Sequence, residues 1–286
     1  MLFFTINLSV FAFIFWELSD KKLLGKLLKT RNSSVQGNLL FEQLMRLGSF
    51  SGRGNEKYEL SQYKFFTKIV ESLLSSLVKY GTNLHEYLPK IKKALINDLR
   101  FEKKIKSELF GGLFQMITVQ AFCFIFIGCL YVQLNLSISI SSLIIPIALQ
   151  VIGYIVFVCG FLFIKKKMFS PLEKYIETFY LISTLLFAKI PLGRIHEECK
   201  ISSLPGKKEL EVFKQRVSII FQEIKRCGSV QEQEMEISIE ELWFLFEFKF
   251  DSFLKHLATL KLVIIVFFFL SSFMLILMEV LGGLQL

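Results

Sequence analysis

From Leu109 to Ile164 the chain reads LFGGLFQMITVQAFCFIFIGCLYVQLNLSISISSLIIPIALQVIGYIVFVCGFLFI, without a single Asp, Glu, Lys or Arg. As one helix this run of about 56 residues would measure about 84 Å at ~1.5 Å per residue. A bilayer's hydrocarbon core is only ~30 Å thick. Two antiparallel helices joined by a short turn fit that thickness. The turn falls in the polar stretch from Gln133-Leu134-Asn135-Leu136-Ser137 to Ser142, which predicts helices near 111–133 and 143–164.

Outward from this run, all 34 lysines and arginines fall in two blocks, 17–108 and 165–261. A third span is expected from Leu262 to about Leu281, starting directly after Lys261 and continuing the helix Glu236–Lys261 without a break. The segment Leu2–Trp16 is apolar too, and its basic residues Lys21, Lys22, Lys26 and Lys29 follow it instead of preceding it. A secretory signal peptide has the opposite polarity and a small-residue cleavage site, so the segment reads as an uncleaved first span anchored by Trp16, with an interfacial helix lying in the headgroups as the alternative. Positively charged loops stay on the cytoplasmic side. Both basic blocks then lie inside, and the N-terminus, the 134–142 loop and the C-terminus lie outside. The expected fold is all-α: a polytopic membrane protein with about four transmembrane helices and two cytoplasmic helical bundles. Its divisions are 1–17, 18–108, 109–164, 165–261 and 262–286.

Composition agrees. Of the 286 residues 53% are hydrophobic and 15% aromatic, 32 of them Phe, and the mean hydropathy is +0.51. Disorder, collagen-like structure and a disulfide scaffold are excluded by such a composition. The net charge of +9 is topological, and nothing in its pattern resembles the basic–aromatic interleaving of a nucleic-acid surface. The five cysteines have no CxxC spacing and read as small buried hydrophobes.

The inside blocks read as helices. Phe65, Ile69, Leu73 and Leu77, then Leu84, Leu88, Ile91 and Leu95, recur at helical spacing, interrupted by Gly81-Thr82. A linker is expected at 48–55, after a basic helix over about 20–47. In the second block, Tyr175–Phe187, Ile195 to about Ile201, Glu209–Lys225 and Glu236–Lys261 read as helices. Pro191-Leu192-Gly193, Ser203-Leu204-Pro205-Gly206 and Cys227-Gly228-Ser229 separate them. Val212, Val217, Ile220, Phe221 and Ile224 form the apolar side of the third of these helices.

The two blocks also resemble each other. Leu77, Lys79, Gly81 and Thr82 align with Ile224, Arg226, Gly228 and Ser229, and Phe101-Glu102-x-Lys104-x-x-Ser107 aligns with Phe246-Glu247-x-Lys249-x-x-Ser252. The unit is helix, basic residue, glycine turn, returning helix and apolar span. Glycine suits a helix C-terminus that ends left-handed, and Lys79 or Arg226 favours the negative end of the helix dipole. A third, degenerate hairpin carries Pro191 and Gly193. Lys79, Gly81, Arg226, Gly228, Pro191 and Gly193 are therefore the candidate hairpin and partner-interface residues.

Chemistry-bearing motifs are missing. There is no GxxxxGK loop and no HExxH, and His85-Glu86 and His196-Glu197 stand alone. The apolar runs lack the ionisable residues that mark ion pathways, apart from Glu279 near the outer end of the last one. No catalytic residue, metal site or cofactor is expected, and the chain reads as a scaffold and not an enzyme.

The stretches "LLSSLVKYGTNLHEYLPKI", "LLFAKIPLGRIHEEC" and "IKRCGSVQEQEMEISIEEL" resemble the recurring helical hairpins of the type II secretion system F domain. The final "FKFDSFLKHLATLKLVIIVFFFLSSFMLILMEVLG" is similar to that family's last span. The resemblance covers about 60–286. The chain departs from the pattern at Lys189, where the family has glycine, and at Ser271-Ser272, where it has proline. The resemblance implies an inner-membrane platform protein of a Tad-type pilus or a related type II secretion or type IV pilus machine. It implies as partners a cytoplasmic assembly ATPase, pilin or pseudopilin transmembrane helices, and further copies of itself or of a similar platform protein, all within membrane lipid. A membrane-anchored signalling scaffold and a transporter subunit are the alternatives.

Overall fold

The computed structural model describes residues 35–47, 59–80, 84–134, 140–187, 190–199, 204–206, 208–227 and 232–282. All regular structure among these residues is helical. Helix α1 covers 35–47, α2 Phe66–Tyr80, α3 Leu84–Leu134, α4 Ile140–Phe187 and α5 Leu192–Cys199. A 3-10 turn at Lys208–Leu210 leads into α6, Glu211–Cys227. Helix α7, Glu232–Ile264, continues through a π-helical segment, Ile265–Leu270, into α8, Ser271–Gly282. The expected first span at 1–17, the linker at 48–55, Gly81 and Gly228 lie outside the described residues.

Three stretches, within Tyr87–Leu130, Ile144–Phe187 and Gln233–Val280, are long and apolar enough to cross a membrane. Each belongs to a helix longer than a bilayer requires. Helix α3 has 51 residues and α4 has 48, so the charged helices of the two blocks and the apolar helices of the 109–164 run are not separate elements. Gly111-Gly112 does not break α3, although a mid-helix glycine costs about 1 kcal/mol. Phe157 fills the space that a Gly112 side chain would take, since a Cβ there would stand 2.5 Å from the Phe157 ring.

The chain forms two compact units. The apolar unit comprises Lys104–Met168 and Lys249–Leu286. It starts earlier on its last helix than the charge pattern suggests, because 249–261 packs with the apolar residues. Phe253 meets Phe161 edge to face at 5.5 Å, Leu260 lies against Gly160, and Lys104 stands over the Phe250 ring. Its polarity is inverted relative to a water-soluble bundle. Phe114, Phe122, Phe267 and Met278 are 66–69% exposed, whereas Gln150 and Ser272 are buried. A folded chain exposes such a surface to a partner or to lipid, while buried polar groups hydrogen-bond one another. Here Tyr154 donates to Gln120 Oε1 (2.7 Å), Gln120 to Gln150 Oε1 (2.8 Å), Gln150 to Ser272 Oγ (3.0 Å) and Ser272 to the Pro146 carbonyl (3.0 Å). This chain of bonds joins α3, α4 and α8. The π turn before α8 re-phases the residues that follow it, and Ser272 falls on the inner face.

Among the described residues, the charged unit comprises those within 35–103 and 169–248. Its helices are amphipathic with buried stripes: Phe66, Ile69, Val70 and Leu73 on α2, and Phe213, Val217, Ile220, Phe221 and Ile224 on α6. Phe213 occupies the inward position that the sequence reading gave to Val212, which is exposed; the two differ by one helical step of ~100°. The end of α4 is buried nearly all round, from Leu172 through Tyr175, Ile176, Phe179, Ile182 and Leu185, and is the central helix of this bundle. Tyr175 donates to the Pro205 carbonyl (3.1 Å), which ties the 204–206 turn to it.

Candidate functional site

The charged unit carries an open cleft of about 380 Å³ between α3, the end of α4 and the start of α7. Its two rims have opposite sign. Helix α3 supplies Lys90, Lys93 and Arg100, at intervals of three and seven, and α7 supplies Glu236, Glu240 and Glu247, at intervals of four and seven; either spacing keeps the three residues on one face. Lys90 pairs with Glu236 (2.5 Å) and Lys93 with Glu240 (3.7 Å) across it. The Lys93–Glu240 pair is largely exposed and the Lys90–Glu236 pair about half so, so each contributes little stability and can be exchanged for a partner's charges.

The floor is aromatic. Trp243 stacks on Phe101 (6.1 Å, 6° between planes), and Phe246 packs against Phe101 (4.8 Å) and Phe169 (4.7 Å). Phe101 and Phe246 are the two residues aligned by the internal similarity of the blocks. The Trp243 indole N–H donates to the Tyr180 hydroxyl (3.2 Å). Burial raises the Tyr180 phenol above its ordinary value although the Trp243 bond opposes this, so Tyr180 stays protonated at neutral pH. The side chain of Phe244, at the rim, is 72% exposed.

Behind the cleft a buried ionic cluster holds α3. Asp98 and Glu102 lie on the helix's inward stripe, 3% and 5% exposed. Lys64 places its ammonium 2.8 Å from Asp98, 3.0 Å from Glu102 and 3.8 Å from Glu173, and the Tyr63 hydroxyl donates to Asp98. Burial by itself would lower the Lys64 pKa, but Asp98, Glu102 and Glu173 overcome it and hold the ammonium well above the usual lysine range. Tyr63 is also raised, mainly by burial. The loop bearing both residues is clamped to α1 by Gln43. Its amide donates to the Glu59 carbonyl (3.0 Å) and its oxygen accepts from the Ser61 N–H (2.9 Å).

None of the described hairpin candidates lines this cleft. Lys79 belongs to the last turn of α2. Arg226 is exposed at the C-terminal end of α6. Pro191 is exposed, and its carbonyl accepts from the Ile195 N–H (3.2 Å). Gly193 falls in the first turn of α5 instead of in a turn between helices, because proline pre-sets the backbone angle with which a helix begins. A Cβ added at Gly193 would meet nothing within 4 Å.

A comparison with protein-family models, with curated proteins and with solved structures finds no match in any of the three.

The cleft residues could not have been found by motif, but one signal for the cluster behind them was available. Continuing the stripe Leu88, Ile91, Leu95 by helical spacing reaches Asp98 and Glu102, two carboxylates on a buried face that require a cation. Among the described residues, no group of three His, Cys, Asp or Glu is placed to hold a metal ion.

Proposed function

We propose that this chain is an inner-membrane platform protein of a fibre-assembling machine of the Tad, type II secretion or type IV pilus kind. Both charged blocks would lie in the cytoplasm. The observation that carries the reading is the continuity of α3, α4 and α7. Each contributes one end to the charged unit and the other to the apolar unit, so a displacement imposed on a cytoplasmic partner site passes into the membrane without crossing a loop. The hairpin resemblance supplies the kind of machine. The cleft suits a docking role, with aromatic anchors on its floor and exchangeable charges on its rim. In this reading a hexameric assembly ATPase engages the charged unit and pilin helices pack on the exposed apolar faces.

The test is co-purification of the full-length chain in detergent with a hexameric assembly ATPase of such a machine expressed alongside it. Capture is expected, and K90E/K93E should reduce it at least tenfold while leaving expression and membrane insertion unchanged. Fibre assembly should fall in parallel. Failure of the wild-type chain to capture any ATPase, with fibres intact after its deletion, defeats the reading; capture of a soluble regulatory protein in its place would favour a signalling scaffold.

A further inference from the structure

The apolar unit is strongly asymmetric in charge. Lys104 and Lys106 on α3, the lysine run 165–167 on α4, and Lys249, Lys255 and Lys261 on α7 all belong to it, opposed at that end only by Glu108 and Asp251. Contacts across the unit set these helices in register. Phe161 meets Phe253, and a Cβ at Gly112 would touch both the Phe157 ring (2.5 Å) and the Lys261 side-chain stem (3.3 Å).

Lys261 is thus level with Gly112, four residues or about 6 Å beyond Glu108, the last charge on α3. On α4 it is level with Phe157, eight residues or about 12 Å from Lys165. Its ammonium springs from inside the charge-free zone and must reach back out of it. Among the described residues Lys166, Lys255 and Lys261 have no carboxylate within ion-pairing distance.

Beside these cations the surface is apolar. Phe110 is 63% exposed, Phe163 66% and Leu262 65%, and the Lys167 ammonium stands over the Phe163 ring. A ligand covering this region must bring an anion for the lysines and a hydrocarbon chain for the exposed phenylalanines and leucine.

We propose that this end of the apolar unit is a binding surface for anionic phospholipid, with Lys166, Lys255 and Lys261 as its phosphate-binding side chains. The inference rests on the reading that the apolar unit crosses a bilayer. Lys261 is the deepest member and fixes the height of the headgroup, while Phe163 and Leu262 lie along the upper acyl chain. A free phosphate satisfies the lysines and leaves that apolar surface uncovered, which is why the occupant is a lipid.

The experiment uses the full-length chain in nanodiscs of phosphatidylcholine, with and without phosphatidylglycerol. Native mass spectrometry counts the phosphatidylglycerol retained after partial delipidation, and a thermal melt reports stability. Each basic residue near a charged bilayer surface favours anionic lipid by about fivefold, so K166Q/K255Q/K261Q should lose most of the retained phosphatidylglycerol and the melting shift it brings. The corresponding triple Arg variant should keep both, which separates charge from folding damage. Wild-type chain that inserts but retains the two lipids in proportion to their supply overturns the inference and leaves the membrane reading standing. A chain extracted from vesicles by alkaline carbonate overturns both. Inorganic phosphate reproducing the full melting shift in phosphatidylcholine alone also overturns it, because the lipid chain would then contribute nothing.

Discussion

Lys64 has φ of 42°, a left-handed backbone conformation that costs a non-glycine residue roughly 1–2 kcal/mol. The strain is offset by the position it gives the ammonium, against two buried carboxylates that face the core from α3. Removing the cation leaves Asp98 and Glu102 uncompensated, so Lys64→Met should destabilise the charged unit by about 3 kcal/mol. That is the low end for breaking a buried ion pair, since 21% of the Lys64 side chain still meets solvent. Lys64→Gly removes the strain as well as the charge, and should come out less destabilised than Lys64→Met; a melt followed by Trp243 fluorescence would rank the two. The same site fixes the pH response. Lys64 and Tyr63 are both raised in the folded chain, so their contribution is complete below the unfolded values of about 10. It declines as pH rises from there toward the folded values. A melt series should therefore show no loss from these groups up to about pH 9 and a falling midpoint above about pH 10, a fall that Lys64→Met reduces.

At the scale of elements, Gly112, Gly153 and Gly160 in the apolar unit mark where helices touch. A Cβ at Gly153 would stand 2.9 Å from Phe268 Cβ, an atom that cannot move without the backbone of the π segment. At Gly160 the nearest atom, also at 2.9 Å, is a terminal methyl of Leu260, which a rotamer change can carry away. Overpacking costs about 1–3 kcal/mol, so Gly153→Ala should fall near the top of that range and Gly160→Ala near the bottom, read as melting midpoints in one detergent. Equal losses would mean that the π segment yields as easily as a leucine side chain. The π segment itself was not legible in the sequence: IVFFFL at 265–270 has the composition of any apolar helix, and only the polar partner opposite Ser272 reveals the change of phase. The helical face of α2 was legible, because the positions of Ile69 and Leu73 are set by amphipathic spacing alone. The assignment of Val212 rather than Phe213 to the core of α6 failed because both residues are apolar and only packing distinguishes them. The cleft stayed hidden for a related reason. Its charged rims look like any solvated helix face until α3 and α7 are placed side by side, and only the aligned Phe101 and Phe246 hinted that they would be.

On the scale of the whole molecule, charge counting found the apolar stretches and read the run from Glu236 through Lys261 into the last of them as continuous, but it separated Tyr175–Phe187 from the apolar helix near 143–164, which α4 joins. Helix α3 passes Glu108 and α7 passes Lys261 without a break, because helical hydrogen bonding is indifferent to what the side chains face. If that continuity transmits displacement, softening the helix where the units join should uncouple them while leaving each folded. Lys103 on α3 and Asp251 on α7 are exposed residues near those junctions, and glycine there costs only about 1 kcal/mol per site relative to alanine. The pair K103A/D251A removes the same side chains and keeps the helices stiff, so the comparison isolates rigidity from chemistry. On the proposed platform reading, K103G/D251G should insert into the membrane and capture an assembly ATPase as well as K103A/D251A does, yet assemble fibres several-fold more slowly. Equal assembly by the two variants would mean that force does not travel along these helices, and that the charged unit acts as a tether only.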